Sequence, residues 1–407
     1  MFWGCYFLMA VSLSASLTYQ GYIGAHSRFF NSDSLDITYD SAVSQVARLQ
    51  TRLDGDHYTG VFSSFSQVDT QDRSRGVVII EEAYGSLFHG PWTFSGGIKK
   101  LNWAALEAFH PVDVINSRYW DSDFKQARMF GEPMVHVSYM KGTWVLNAYW
   151  MPVFKVPEYP SRSNRFRYSS VPIGAVSAYD SSGDVLSEQK HVFQYAFRLD
   201  KMGGFGDMSI HALGHVDRSQ PVFVFDPSTA TLTSHYLYVH QVGGSVQWLF
   251  GDNMFKSEWS FRSFTDADHA QLGPISRADH SQWAFGLERP LYFDNGHEWT
   301  SLLEFQSYQG VSQKERAALG LFQQDVLLGG RYMFNDVSST ELLMTVIVDV
   351  ERKNEMILSS TLTRRIFDAW MYDIGFQVVQ GKSHSDGLGL QSLAKSDHIF
   401  MNMVYYF

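Results

Sequence analysis

The chain carries one cysteine, Cys5, in 407 residues, so no disulfide can form within it. It lacks any run of about 18 apolar residues, which rules out a helical membrane span. Charge is sparse: 18% of residues are Asp, Glu, Lys or Arg, against roughly 25% in average soluble domains. What charge there is sums to −10, the wrong sign for a nucleic-acid partner. The motifs of nucleophilic, metal and phosphate chemistry are missing too: there is no G-x-S-x-G, H-E-x-x-H, P-loop or C-x-x-C. His211 and His215 have a spacing that would suit a metal on a helix, but they sit in a strand-like stretch, where four residues span roughly 13 Å. Ser383, His384, Ser385 and Asp386 are triad-type residues, yet they are sequence neighbours in a Gly-flanked turn and read as solvated loop. The expectation is a protein that is not an enzyme and uses no cofactor and no metal.

No Lys or Arg precedes Arg28, so the apolar stretch 2–13 lacks the basic start of an export signal. Ser12, Ser14, Ala15 and Ser16 still offer small residues for cleavage. Residues 1–15 are read as a truncated signal segment and 16–407 as a single domain. Only four residues precede Cys5, too few for a lipoprotein signal.

Aromatics, by contrast, are plentiful: 31 Phe, 21 Tyr and 11 Trp, against 11 Pro. Mean hydropathy is nevertheless only −0.18. Strands that show one face to lipid and the other to water produce that combination, with the aromatics forming girdles at the membrane interfaces. The end of the chain is the clearest case. Ile399, Met401, Met403, Tyr405 and Phe407 recur at every second position, and so share one strand face. A buried last strand of a soluble sandwich would also read this way. The closing strand of an outer-membrane barrel reads so because it faces lipid and is paired on both edges. The ending resembles the C-terminal signal of bacterial outer-membrane proteins, which implies the barrel-assembly machinery as a partner.

The same period runs through the chain. In 17–29, Tyr19, Ile23 and Phe29 oppose Thr18, Gln20, His26 and Arg28; in 43–53, Val43, Ala47, Leu49 and Leu53 oppose Ser44, Arg48, Gln50 and Arg52. In 191–200, Phe193, Tyr195 and Phe197 oppose Gln194, Arg198 and Asp200. In 236–250 the outward set is Tyr236, Tyr238, Val242, Val246, Trp248 and Phe250. In 255–264, Phe255, Trp259 and Phe261 oppose Lys256, Glu258, Ser260 and Arg262; in 340–350, Leu342, Met344, Val346 and Val348 oppose Glu341, Thr345 and Asp349. Runs of about ten residues suit a tilted bilayer crossing.

Turn signals at 54–56, 89–91, 141–142, 251–253, 294–296 and 335–336 separate them. Longer polar links at 31–42, 157–190, 217–234, 265–280, 310–323 and 381–395 read as extracellular loops. The count comes to about 18 strands, with 16 as the runner-up, since single-chain barrels use even numbers.

Residues 99–133 break the period, and 103–109 could form two helical turns. Asp113, Asn116, Arg118, Asp121, Asp123, Lys125 and Arg128 crowd beside Trp103, Trp120 and Phe124. So many charges of both signs need partners, which a loop folded into a polar lumen supplies. The run Trp103…Pro111-Val112-Asp113-Val114-Ile115-Asn116-Ser117-Arg118 resembles the W-G…P-x-D-V-[IL]-N-P-R motif of a poorly characterised family of Gram-negative outer-membrane porin-like proteins. Gly131-Glu132-Pro133-Met134 and Trp150-Met151-Pro152-Val153-Phe154 resemble that family's next strand pair. Ala104 and Ser117 depart from the motif's Gly and Pro. The resemblance implies passage of apolar or organic compounds, with Trp103, Asp113, Asn116 and Arg118 at the motif positions.

The reading is therefore an all-β transmembrane antiparallel barrel in the outer membrane of a Gram-negative bacterium, with an inward loop at about 101–131. Its expected function is a channel for small solutes. Arg48, Arg52, Arg198, Lys256, Glu258 and Arg262 form a mixed-charge lumen wall. The alternatives are a non-conducting structural or adhesive barrel and, less favoured, a membrane-embedded hydrolase.

Overall fold

Strands cross a bilayer only if every backbone donor and acceptor is paired, and a closed sheet is the way to pair them all. The computed structural model describes residues 15–31, 38–120, 127–167, 169, 171–187, 190–269, 272–352, 354–381 and 389–407. Within them, eighteen strands form one antiparallel sheet, each paired with its neighbours along the chain. The first, Ser16–Phe30, pairs on one edge with Ser41–Asp54 and on the other with the last, His398–Tyr406. The barrel is thus closed with eighteen strands rather than sixteen.

Short turns occupy one rim and long connections the other. All six expected turn signals fall on the short-turn rim, and all six expected long loops fall on the opposite one. Two of the turns, at 90–91 and 142–143, place Gly90 and Gly142 at φ 55° and 61°. A positive φ at the first central residue is the type II′ geometry, whose twist matches that of the flanking strands.

The outward faces are as the alternation predicts. Tyr19, Ile23 and Phe29 stand exposed on the first strand, and Ile399, Met401, Met403 and Tyr405 on the last. Trp92, Trp144, Trp248, Tyr292 and Trp370 are exposed near strand ends at the short-turn rim, where they form an aromatic girdle. Trp259 stacks on Trp283 of the neighbouring strand with centroids 5.9 Å apart, a pairing worth ~0.5–1.5 kcal/mol beyond burial.

One expected facing fails. Tyr236 and Tyr238 are fully buried, at 0% and 1% exposure, not lipid-facing. The stretch read as one strand is two, Thr231–Tyr236 and Tyr238–Phe250. The first belongs to a separate three-stranded sheet with Ile173–Ala178 and Val222–Asp226, built from two long loops. Tyr236 is the last residue of that sheet's strand, and it clusters with Tyr238, Phe154, Ala178 and Val216.

Buried Arg165 ties three long connections together. It bonds Asp40 and the carbonyls of Tyr39 and Lys395.

Candidate functional site

The connection between strands Trp92–Lys99 and Glu132–Lys141 folds into the barrel. Residues 103–109 are not helical. Their amide groups instead point at two carboxylates on the far wall. Ala105 and Leu106 N–H donate to Glu258 Oε1, and Val112 N–H to Oε2 at 3.3 Å. Glu107 and Ala108 N–H donate to the two oxygens of Glu304 at 2.6 and 3.0 Å. A hydrogen bond contributes about 0.5–1.5 kcal/mol net, so the bonds to these two side chains together hold the loop in place.

Apolar contacts reinforce them. Trp103, Val112, Val114 and Ile115 pack against wall residues Met134, Tyr149, Met151, Ala196 and Leu213. Ala105, Leu106 and Phe109 pack against Ala284, Leu302, Leu327 and Ile347. The lumen expected to be polar is therefore dry along this contact, and the loop acts as a plug. Burying Leu106 and Phe109 contributes roughly 1.5–3 kcal/mol each.

The motif residues brace the loop internally. Asn116 donates to the carbonyls of Lys99 and Phe130 at 3.3 and 2.8 Å and accepts from Leu101 N–H at 2.9 Å, joining the loop's entry to its exit. Asp113 accepts from Trp103 N–H at 3.2 Å and from Arg118 at 2.8 Å. Ser117 N–H donates to Glu132, whose carboxylate also receives the buried Arg218 at 3.0 and 3.2 Å. Trp103 lies beneath the Arg198 guanidinium at 4.9 Å and beside His211. Asp121, Asp123, Lys125 and Phe124 lie outside the described residues, as do residues 1–14 and the Ser383-to-Asp386 turn. Burial pushes the His110 imidazole down, to about 4, with Asp113 opposing the shift and Arg118 adding to it.

The wall charges are all engaged. Arg48 bonds Glu81 at 2.7 Å, Arg198 bonds Asp200 at 2.7 Å and Lys256 bonds Glu288. Arg262, fully buried, bonds Gln241 at 2.8 Å and Asp217 at 3.4 Å. Arg52 sits apart, paired with Asp54 at the short-turn rim. His211 and His215 are both buried, and no group of three or more His, Cys, Asp or Glu among the described residues can hold a metal.

Glu81, like Glu304, is a residue the sequence reading missed. It takes Arg48 at 2.7 Å, Arg128 at 2.9 Å and Lys100 at 3.6 Å. Ser63 pairs with Glu82 and Ser64 with Ile80, so Glu81 is the extra residue of a β-bulge. A bulge re-aims a side chain, and the doubled Glu81-Glu82 within an otherwise alternating strand was its only sequence signal.

The plug leaves one side of the barrel open. A cavity of ≈ 460 Å³ lies between it and the first and last strands, with Arg28, Arg75, Lys100 and Arg128 on its wall. Towards the short-turn rim follows a cavity of ≈ 330 Å³, bounded by Trp103, Arg198, Asp200 and Met202, and Asn102 lines both. Towards the long loops a pocket of ≈ 80 Å³ is lined by Trp120, Tyr159, Pro221, Leu321 and Leu393, and Phe166 lines this pocket and the large cavity alike.

No protein-family model matches the sequence, and no curated protein matches it. Solved structures do resemble it. OccAB3 of Acinetobacter baumannii superposes with a TM-score of 0.53 at 10% identity, covering 97% of this chain and 99% of that one. OccK5 (OpdH) of Pseudomonas aeruginosa gives 0.51 at 9% identity, covering 97% of each. Likeness at such identity is one of fold: a closed eighteen-strand antiparallel barrel of the outer-membrane porin type.

Proposed function

We propose that this chain is a porin-like channel of a Gram-negative outer membrane, through which small organic solutes pass down their gradients with no chemistry performed. The observation that carries this reading is the series of three cavities beside the plug, successive ones sharing Phe166 and Asn102 as lining residues. On this reading the long loops face outwards and the short turns face the periplasm. Lipid covers the outward apolar stripe, and the strand ending at Phe407 is what the barrel-assembly machinery takes up. Asp113, Asn116 and Arg118 serve as braces, while Lys100 and Arg128 face the path and form its selective part. The wall row from Arg198 to Arg262 contributes less, because its charges are paired.

Single-channel recording of the purified protein in planar bilayers tests the proposal. Discrete conductance steps are expected. Replacing 106–130 by a short Gly-Ser bridge should give larger steps with weaker ion preference. Silence of the intact, folded protein would sink the channel reading and favour a structural or adhesive barrel.

A further inference from the structure

We infer that the barrel holds, between the plug and the long loops, a binding site for an uncharged aromatic alcohol, a flat ring bearing a hydroxyl group. The inference goes beyond the channel reading and does not rest on it. Its basis is a further cavity, of ≈ 180 Å³, where the plug meets strands His280–Tyr292 and Glu298–Gln309. Gln220, Gln282, Gln306 and Tyr308 line it. The guanidinium groups on its wall are matched: Arg118 bonds Asp113 at 2.8 Å, and Arg262 bonds Asp217 at 3.4 Å. An ion entering here would lose its hydration without an unmatched partner to replace it.

Two buried polar atoms on this wall make no hydrogen bond among the described residues. Gln220 is 6% exposed. One end of its amide bonds the Tyr308 hydroxyl at 3.3 Å, and Oε1 at the other end is unpartnered. Trp120 Nε1 is unpartnered too. Such groups are rare and costly in a folded protein. Oε1 needs a donor, and the indole N–H needs an acceptor. A hydroxyl is both at once; a carboxylate cannot donate, an ammonium cannot accept, and a hydrocarbon does neither.

Trp120 also lines the apolar pocket between the long loops, and Ser219, Leu319 and Leu321 are common to both spaces. In that pocket the Trp120 and Tyr159 rings are nearly parallel, at 6.5 Å and 9°, with Pro221 and Leu393 beside them. A flat ring packs well against such a wall. A molecule seated at Trp120 thus sets its ring among apolar groups and its hydroxyl against Gln220. Towards the short-turn rim, the next inward residues after Gln282 and Gln306 are Ala284 and Glu304, which hold the docked plug. The site is stopped on that side, which suits retention rather than passage.

The test is fluorine NMR of ligand binding to the whole chain in nanodiscs, with binding to empty nanodiscs subtracted. 2-(4-Fluorophenyl)ethanol should bind saturably, roughly tenfold more tightly than 4-fluorophenylacetate or 2-(4-fluorophenyl)ethylamine, whose charges must be desolvated. Trifluoroethanol, which has no ring, should not bind. Loss of one hydrogen bond amounts to about fivefold in affinity. Gln220→Met and Trp120→Phe, which keep the shape and lose the polar atom, should therefore each weaken the alcohol about fivefold. Leu321→Trp, which fills the apolar side, should abolish binding. Each variant is scored only as the heat-modifiable folded form. Equal binding of alcohol, anion and amine, no binding above empty nanodiscs, or unchanged affinity in both Gln220→Met and Trp120→Phe overturns this inference and leaves the channel reading to its conductance test. A folded barrel that binds the alcohol in the expected order but never conducts keeps this site and removes the channel.

Discussion

The ring of Phe407 lies over Gly21 on the outer face of the barrel seam, so close that a β-carbon on Gly21 would stand 2.8 Å from it. The two residues also exchange backbone hydrogen bonds, each N–H donating to the other's carbonyl at 3.0 Å. The last residue thus completes the ladder that closes the sheet. Deleting Phe407 removes both bonds and bares Gly21. The folded, heat-modifiable form recovered from outer membranes should fall, and Gly21→Leu, whose β-carbon would meet both the ring and the Arg48 carbonyl, should act in the same direction. Wild-type levels of folded protein in both variants would remove Phe407 from any role in closure.

Facing gives a sharper contrast. Val346 lies on the outward face, whereas Thr345 points inward, its hydroxyl 2.7 Å from that of Ser359. Val346→Arg should cost about 2–4 kcal/mol near the bilayer midplane. Thr345→Arg gives up one neutral hydrogen bond, about 1 kcal/mol. Urea titration of the refolded barrel in lipid separates the two. Equal losses would mean that the register is shifted by one residue.

Glu258 and Glu304 reach the plug through its amides. Glu258→Ala leaves three buried N–H groups without that acceptor, and unsatisfied buried donors cost about 1–3 kcal/mol each. The double variant with Glu304→Ala should keep a folded barrel whose plug is cut by trypsin within 100–131 and whose conductance is larger and noisier. Unchanged protease resistance would show that the apolar contacts hold the plug unaided.

Acid should also loosen the plug. His110 is held down to about 4 by burial, whereas a released loop would carry it near 6.5. A proton therefore favours the released form, and the docked form loses its advantage as pH falls from about 6.5 towards 4. Conductance should rise over that range, and the part owed to His110 should vanish in His110→Gln. An identical pH profile in the variant would exclude His110 from the response.

Strand count, facing and the sorting of turns from loops were legible because they depend on period and punctuation, which are local. The inward course of 101–131 was legible from its charges. Its apolar seat was not. Leu343 and Ile347, on the inward face of Glu341–Asp349, were the visible hint, since inward apolar residues need something to cover them. The partners of Glu258 and Glu304 lie some 150 to 200 residues away in sequence, a separation over which no local pattern speaks. Tyr236 and Tyr238 misled for the same reason: Phe154 and Ala178, which cluster with them, come from a distant loop.

A plug gripped by its main chain has a consequence for divergence. Glu258 and Glu304 recognise N–H groups, and every residue but proline supplies one. The side chains of Ala104, Glu107 and Ala108 can then be exchanged without undoing the clasp, provided that no proline enters at the donor positions. Relatives, or deliberately altered versions, can reshape what the plug shows to a passing molecule while inheriting its position unchanged.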